Sequence, residues 1–436
     1  MDRTGELYEI FRHSGAVTTD SRTVSHGSLF FALRGENFDG NDYAAAAIEA
    51  GAAVAVVDNP AAVPVIGADK YFLVDDVLAA LQQLAALHRC KLGIPVLAIT
   101  GSNGKTTTKE LIGRILSKKY RVAVTQGNLN NHIGVPLTIL AMDDKAAFGV
   151  VEMGASHCGE IALLCRIAQP DYGIITNIGK AHIEGFGGIE GVARGKGELF
   201  DYLAASGGTA FYLKENAALS GMAAERVNLE VASYTVGELA VTDNVENSGF
   251  LNISWKDGIL KTHLVGDYNL YNIAAAIAVG EYFGVAAEQI VAAVESYIPD
   301  NNRSQRLETA HNLLILDAYN ANPTSMEKAL ENFAVAGTGR PKAVILGDML
   351  ELGEYAGYEH MQVITLLHNL GFAEIYLVGR NFTDAATRLG VVGSQTRVFA
   401  DTGQFITWLE ENPIVSRAIL IKGSRGNRLE KITEFL

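Results

Sequence analysis

The run Thr100-Gly101-Ser102-Asn103-Gly104-Lys105-Thr106-Thr107 follows the apolar segment Val96 to Thr100 and opens a helical one. That order of strand, glycine loop and helix constrains the fold more than any other feature of the chain, because it is the setting in which backbone amides can wrap phosphate. Glycines let N–H groups approach the oxygens, the helix N-terminus adds positive potential, and a lysine here neutralises charge at the β- and γ-phosphates. Gly101, Ser102, Asn103, Gly104, Lys105, Thr106 and Thr107 are therefore the expected nucleotide contacts, with the Thr106 hydroxyl offered to Mg²⁺. The general phosphate-loop pattern has a further Gly five residues before the second one, where this chain has Ile99. The plainer reading is a glycine turn with a solvated lysine, and the flanking threonines weigh against it.

Around this loop the pattern alternates between strand and helix. Helical stretches at Thr107–Leu116 and Glu190–Leu203 separate strands at Phe148–Glu152, Tyr172–Thr176 and Thr209–Leu213, which predicts a mostly parallel sheet covered by helices. Residues 229–264 read as short antiparallel strands with a turn at Lys256-Asp257-Gly258, a flap on the same domain. Before the loop, strands at Ser28–Leu33 and Ala53–Asp58, a short helix at Tyr43–Ala50 and a longer one at Asp76–Lys91 form a small α/β unit that ends near Gly93-Ile94-Pro95. After the polar turn Asp300-Asn301-Asn302-Arg303-Ser304, strands at Leu313–Leu316, Ala343–Leu346, Ile375–Val378 and Ala418–Ile421 describe another open α/β unit, Rossmann-like in pattern. The fold class is thus α/β in three domains, 1–92, 93–302 and 303–436, as a chain of 436 residues exceeds what one core organises.

A formal net charge of −14 argues against nucleic acid or an anionic membrane as the main partner, so phosphate must be held locally. Cys90, Cys158 and Cys165 form neither a disulfide framework nor a zinc site, which points to a reduced cytoplasmic compartment. The start, Met1 to Glu6, has no signal-peptide pattern, and no stretch reaches the roughly 18 apolar residues of a membrane span.

The loop in the form TGxxGKT, together with Gly127-Asn128-Leu129-Asn130-Asn131, Val151-Glu152-Met153-Gly154-Ala155, Thr176-Asn177-Ile178-Gly179 with Ala181-His182, Asp317-Ala318-Tyr319-Asn320-Ala321-Asn322-Pro323, Leu346-Gly347-Asp348-Met349-Leu350-Glu351-Leu352-Gly353 and Lys422-Gly423-Ser424-Arg425-Gly426, resembles the Mur ligase family almost end to end. The last three segments are similar to the branch whose donor is UDP-N-acetylmuramoyl-tripeptide and whose acceptor is D-alanyl-D-alanine. His132 stands where an acidic residue is common in the family, and Gly195 where Ala is usual.

Physically, Glu152 ends a strand at the edge where open α/β sheets bind ligands, and can complete Mg²⁺ coordination or simply be an exposed strand end. His182 sits in a loop after a strand, and Lys196 in a helix, where a solvated face is the ordinary reading. The resemblance implies that Glu152 and His182 ligate a pair of Mg²⁺ ions, and that Lys196 reacts with CO₂ to form a carbamate that helps place metal. It implies adenine contact for Asn272, with Asn269 a cap, and ATP contacts for Asp317, Tyr319 and Asn320, with Arg306 stabilising the transferring phosphoryl group. Asn128, Asn131, Asn322, the acidic Asp348 and Glu351, and the basic loop Lys422, Ser424 and Arg425 would hold the substrates, the dipeptide among them. Ser21 and Arg34 are the expected diphosphate or uracil contacts in the first domain.

The implied reaction is ATP-dependent. The tripeptide carboxylate becomes an acyl phosphate, and the dipeptide amine displaces phosphate, yielding the pentapeptide, ADP and phosphate for peptidoglycan precursor synthesis by a monomer. Lys105, His182, Lys196 and Arg306 are its expected catalytic residues. The rival readings are the sister ligase that adds the third amino acid, a phosphate-loop small-molecule kinase, and a non-catalytic nucleotide switch.

Overall fold

Val96–Thr100 is a strand with every residue buried, as its unbroken apolar run predicts for the centre of a parallel sheet. In the computed structural model, which describes residues 2–242, 249–300 and 302–436, it pairs in parallel with Phe148–Glu152 on one side and Tyr172–Ile175 on the other. Val122–Val124 completes one edge, and Thr209–Leu213 followed by Glu230–Tyr234 the other, all parallel. The carboxyl ends therefore lie along one rim, and the register sets Glu152 opposite Ile99, just before the glycine loop. Helices Lys105–Leu116 and Asn269–Tyr282 cover one face through Ile112, Ile115, Ile273 and Ala276. Glu160–Ala168 and Ile189–Ser206 cover the other.

The expected flap is corrected in its first part. Glu230–Tyr234 is not antiparallel but the parallel edge strand of the central sheet, and only Leu239–Thr242, Asn252–Trp255 and Gly258–Lys261 form an antiparallel trio. A half-exposed edge strand alternates like an antiparallel one, so periodicity could not separate the two. Residues 243–248 of that segment and Asn301 of the expected turn lie outside the described residues.

The first sheet, Val17–Thr18, Leu29–Phe31, Val54–Val57 and Tyr71–Leu73, is also parallel. Its helix Val77–Leu92 starts on the Asp76 side chain, which accepts from Ala79 N–H at 2.7 Å, and stops at Gly93, whose φ of 61° few other residues adopt. Arg89 on that helix is buried and donates to the carbonyls of Ala168 and Gln169 while pairing with Asp171, which fastens the first unit to the central one.

In the last sheet Gln305–Glu308 runs antiparallel to Leu313–Asp317, after which Ala418–Lys422, Lys342–Gly347, Glu374–Val378 and Thr396–Phe399 follow in parallel. The register puts Asp317 beside Lys422. This rim faces the glycine loop, since Asn322 Nδ2 donates to Asn103 Oδ1 at 2.7 Å.

Candidate active site

The glycine loop turns through Gly101 and Gly104, at φ of 138° and 81°. Both positions also exclude a side chain, because a Cβ would run into Thr176 Oγ1 at the first and Asn272 Oδ1 at the second. Lys105 Nζ donates to the Gly101 carbonyl at 2.7 Å, so the amine curls back over the loop. Burial pulls that amine down to about 8, with Arg303 adding to the effect and Glu152 opposing it. Thr106 is buried at the start of the helix.

These residues open onto a cleft of 1060 Å³ shared by the central and last units. Glu152 lines it and is only 1% exposed. Its Oε1 accepts from Asn130 Nδ2 at 2.8 Å, while Oε2 is buried with no protein partner. An ionised carboxylate left half-satisfied in this way is costly unless a cation or donor completes it. Lys196 is not on a solvated face: it is 1% exposed, in the middle of Ile189–Ser206, and donates to the carbonyl of Ala155 on the cleft wall at 2.9 Å. Burial first, and then the charge of Lys105, hold its amine at about 7, against the pull of Glu160 and Glu198. His182 stands at the start of a short helix in a left-handed conformation, and its Nδ1 is set against the carboxylate of Glu351 from the last unit. Through that pairing the Glu351 carboxyl is held below its ordinary value.

Asn272 lies against the loop, its amide accepting from Thr108 and donating to Asn269, which leaves it one free N–H and one lone pair. Asn269 is not the cap; it is buried in the first turn and bonds the Val265 carbonyl. From the last unit, Tyr319, Asn320, Ser424 and Arg425 also line the cleft. The guanidiniums of Arg303 and Arg425 lie against the Tyr319 ring, 3.8 and 5.3 Å from its centroid.

Several expected site residues are placed otherwise. Arg306 does not line the cleft: it sits on an edge strand with its guanidinium over Phe250, whereas Arg303, three residues earlier, does line it. Asp348 is turned away as well, its two oxygens accepting the N–H groups of Asn381 and Phe382 at the start of helix Arg380–Leu389. Lys422 is buried in an ion pair with Asp317, so neither is free to take a substrate charge without breaking the pair. Asn322 caps helix Pro323–Val335 in addition to reaching Asn103. Asn128 and Asn131 line the cleft, although Asn131 Oδ1 already accepts from Ile133 and Gly134. Arg34 pairs with Asp39 and Asp58 on the first unit, and neither it nor Ser21 lines this cleft.

Sequence reading passed over Asn130, which orients Glu152, and Asn177, which takes the Asn103 N–H and donates to its carbonyl. Both stand inside segments already singled out, but an amide that holds another residue looks like any loop asparagine until its partner is seen.

Fold and site together define a multidomain α/β enzyme with a glycine loop at a strand end and a second α/β unit facing it across one cleft. Family models match over most of the chain: the Mur ligase family catalytic domain at residues 13–89, the Mur ligase middle domain at 99–280, and the Mur ligase glutamate ligase domain at 302–425. The UDP-N-acetylmuramoyl-tripeptide--D-alanyl-D-alanine ligase of Bacillus subtilis is 35% identical over 424 residues, covering 96% of this chain and 92% of its own. A crystal structure of MurF from Acinetobacter baumannii superimposes with a TM-score of 0.85 at 30% identity, over 99% of this chain and 97% of that one. MurF ligase from Thermotoga maritima in complex with ADP gives 0.82 at 26% identity, over 98% and 97%. The chain belongs to the Mur ligase family.

Proposed function

We propose that this protein joins D-alanyl-D-alanine to UDP-N-acetylmuramoyl-tripeptide at the expense of ATP. As a family member it is an ATP-dependent peptide ligase, and the choice of substrates rests on its likeness to relatives named for that reaction. The observation that carries the reading is the placement of Lys105, Arg303 and the half-satisfied Glu152 around one cleft that the last unit closes. The ADP named in the Thermotoga complex supports nucleotide at the glycine loop.

A carboxylate cannot expel oxide, so the tripeptide carboxylate first attacks the γ-phosphate of ATP, the bond to the β–γ bridging oxygen breaks, and ADP leaves an acyl phosphate behind. The dipeptide amine then adds to the acyl carbon and phosphate leaves. Lys105 and Arg303 are placed to take up charge as the phosphoryl group moves, and the closed last unit keeps water from the acyl phosphate. Tyr319 and Asn272 are assigned to the nucleoside. Arg425, which has no acidic partner within 4.0 Å among the described residues, is assigned to the dipeptide carboxylate.

The residues fit Mg²⁺. Among the described residues no group of three or more His, Cys, Asp or Glu could hold a metal, but Mg²⁺ bound with nucleotide typically uses one or two protein carboxylates, phosphates and water. Glu152 and Thr106 would hold one ion and His182 a second, with a carbamate on Lys196 as further support; bound there, Mg²⁺ neutralises phosphate charge. A carbamate forms only from a neutral amine, and the lowered value at Lys196 favours that state. The first unit, 1–92, is assigned to the UDP end of the donor. No helix among the described residues is long and apolar enough to cross a membrane; a cytoplasmic, monomeric enzyme remains part of the proposal.

The test is phosphate release from ATP and Mg²⁺ with the UDP-linked tripeptide, with and without D-alanyl-D-alanine, and products identified by mass. Dipeptide-dependent release with the matching pentapeptide supports the reading. Release that requires a single amino acid and a dipeptide donor would indicate the sister ligase, and a phosphorylated product without an amide a kinase.

A further inference from the structure

Glu359, in the first turn of helix Ala356–Asn369, keeps only 7% of its side chain exposed, and its carboxylate is 2.6 Å from Lys180 Nζ of the central unit. The backbone N–H of Lys180 also donates to Thr324 Oγ1 of the last unit at 3.1 Å. One residue earlier, Gly179 is tied to the nucleotide loop twice, donating to Ser102 Oγ at 2.9 Å and accepting from it at 3.0 Å. A short rigid path thus runs from the loop through Gly179 and Lys180 into two helices of the last unit. None of these contacts involves a group assigned above to the reaction, apart from the loop itself.

We infer that Lys180 and Glu359 form a positioning pair that couples nucleotide binding to closure of the last unit. A buried carboxylate whose cation comes from the opposite unit loses that partner on opening, so the pair favours the closed state. Ser102 is at the nucleotide end of the same path, so a nucleotide that fixes the loop also fixes Lys180 in reach of Glu359. Such coupling is reciprocal: whatever closure adds to nucleotide affinity, nucleotide adds to closure. An exposed ion pair of no consequence is the alternative, because many surface pairs contribute almost nothing.

The inference rests on nucleotide binding at the loop but not on the identity of the acceptor. Lys180→Met, Glu359→Gln and the double variant of the full-length protein are compared with wild type by calorimetric titration with a non-hydrolysable ATP analogue and Mg²⁺, by small-angle scattering with and without that analogue, and by thermal melting. Each single variant is expected to bind about tenfold more weakly, near the low end of couplings between sites, and to lose the compaction that the analogue produces. The double variant should be no worse than either single. Wild-type affinity and compaction in both single variants overturn the inference, as do losses that multiply in the double variant. Lys180 is half-exposed on a loop, so Lys180→Met decides the matter even if Glu359→Gln melts early. A wild-type protein that binds no analogue overturns both this inference and the function proposed above, whereas binding that the variants share overturns the coupling alone.

Discussion

Asn130 and Glu152 are joined through one carboxylate oxygen at 2.8 Å, and the other oxygen of Glu152 is buried without a protein partner. The amide therefore fixes the direction in which the free oxygen points.

Glu152→Gln keeps the shape and removes the charge. It is expected to lower kcat by about 10²-fold, the scale of losing one electrostatic contact at a reacting centre, while nucleotide binding without Mg²⁺ stays as in wild type. Asn130→Ala should instead raise the Mg²⁺ concentration needed for half-maximal rate. Rates measured against Mg²⁺ separate the two, and an unchanged magnesium requirement in both variants refutes the metal role.

Arg303 lines the cleft onto which the glycine loop opens, and Arg306 does not. Arg303→Ala should cost about 10² to 10³ in kcat, as expected for a cation aimed at a transferring phosphoryl group. Arg306→Ala should change kcat less than Arg303→Ala does. Steady-state rates at saturating substrate read the difference, and a reversed order would restore Arg306 to the site.

Asp348 accepts two N–H groups at the start of Arg380–Leu389. Its replacement by alanine is expected to destabilise the protein by about 1–2 kcal/mol, as the loss of a helix cap does, and to leave the KM for the dipeptide unchanged. Denaturant unfolding and substrate titration test both halves, and a raised dipeptide KM with unaltered stability would return Asp348 to the acceptor site.

Lys196 has a value near 7 in the fold and an ordinary lysine value when unfolded. The unfolded chain thus binds the extra proton between about pH 7 and 10.4, and stability rises with pH across that window. Lys196→Met removes the penalty, so it should raise the melting temperature most at or below pH 7 and progressively less as the pH climbs, while abolishing ligation. Melting curves at pH 6.5 and 9.5 check this, and an equal effect at both would mean that the amine is not held neutral. In the wild type, added bicarbonate should raise the rate more at pH 8 than at pH 6, where the protonated amine cannot react.

The central and last sheets were legible because fully buried parallel strands such as Val96–Thr100 and Ala418–Lys422 leave unbroken apolar runs. Short strands like Val122–Val124 leave no such mark, and Glu230–Tyr234 carries the alternation of an edge. The glycine loop was legible for a different reason, since its chemistry is local in sequence. What could not be read was charge balance across the chain. Nothing near Lys422 announces that Asp317 neutralises it, and nothing near Asp348 reveals that its oxygens are taken by the start of a helix more than 30 residues later. Arg303 and Arg306 are three residues apart in a polar stretch, and only the fold decides that Arg303, just before the strand, lines the cleft while Arg306, on the strand, does not.

Asn103 illustrates how the nucleotide loop is held. Its N–H goes to Asn177, its carbonyl takes Thr176 and Asn177, and its side chain takes Asn322 from across the cleft. With the last unit in place, the loop's shape is held by protein contacts from both sides of the cleft. Closure thus takes conformational freedom from the loop, and less of the nucleotide's binding free energy is spent on ordering the backbone around phosphate.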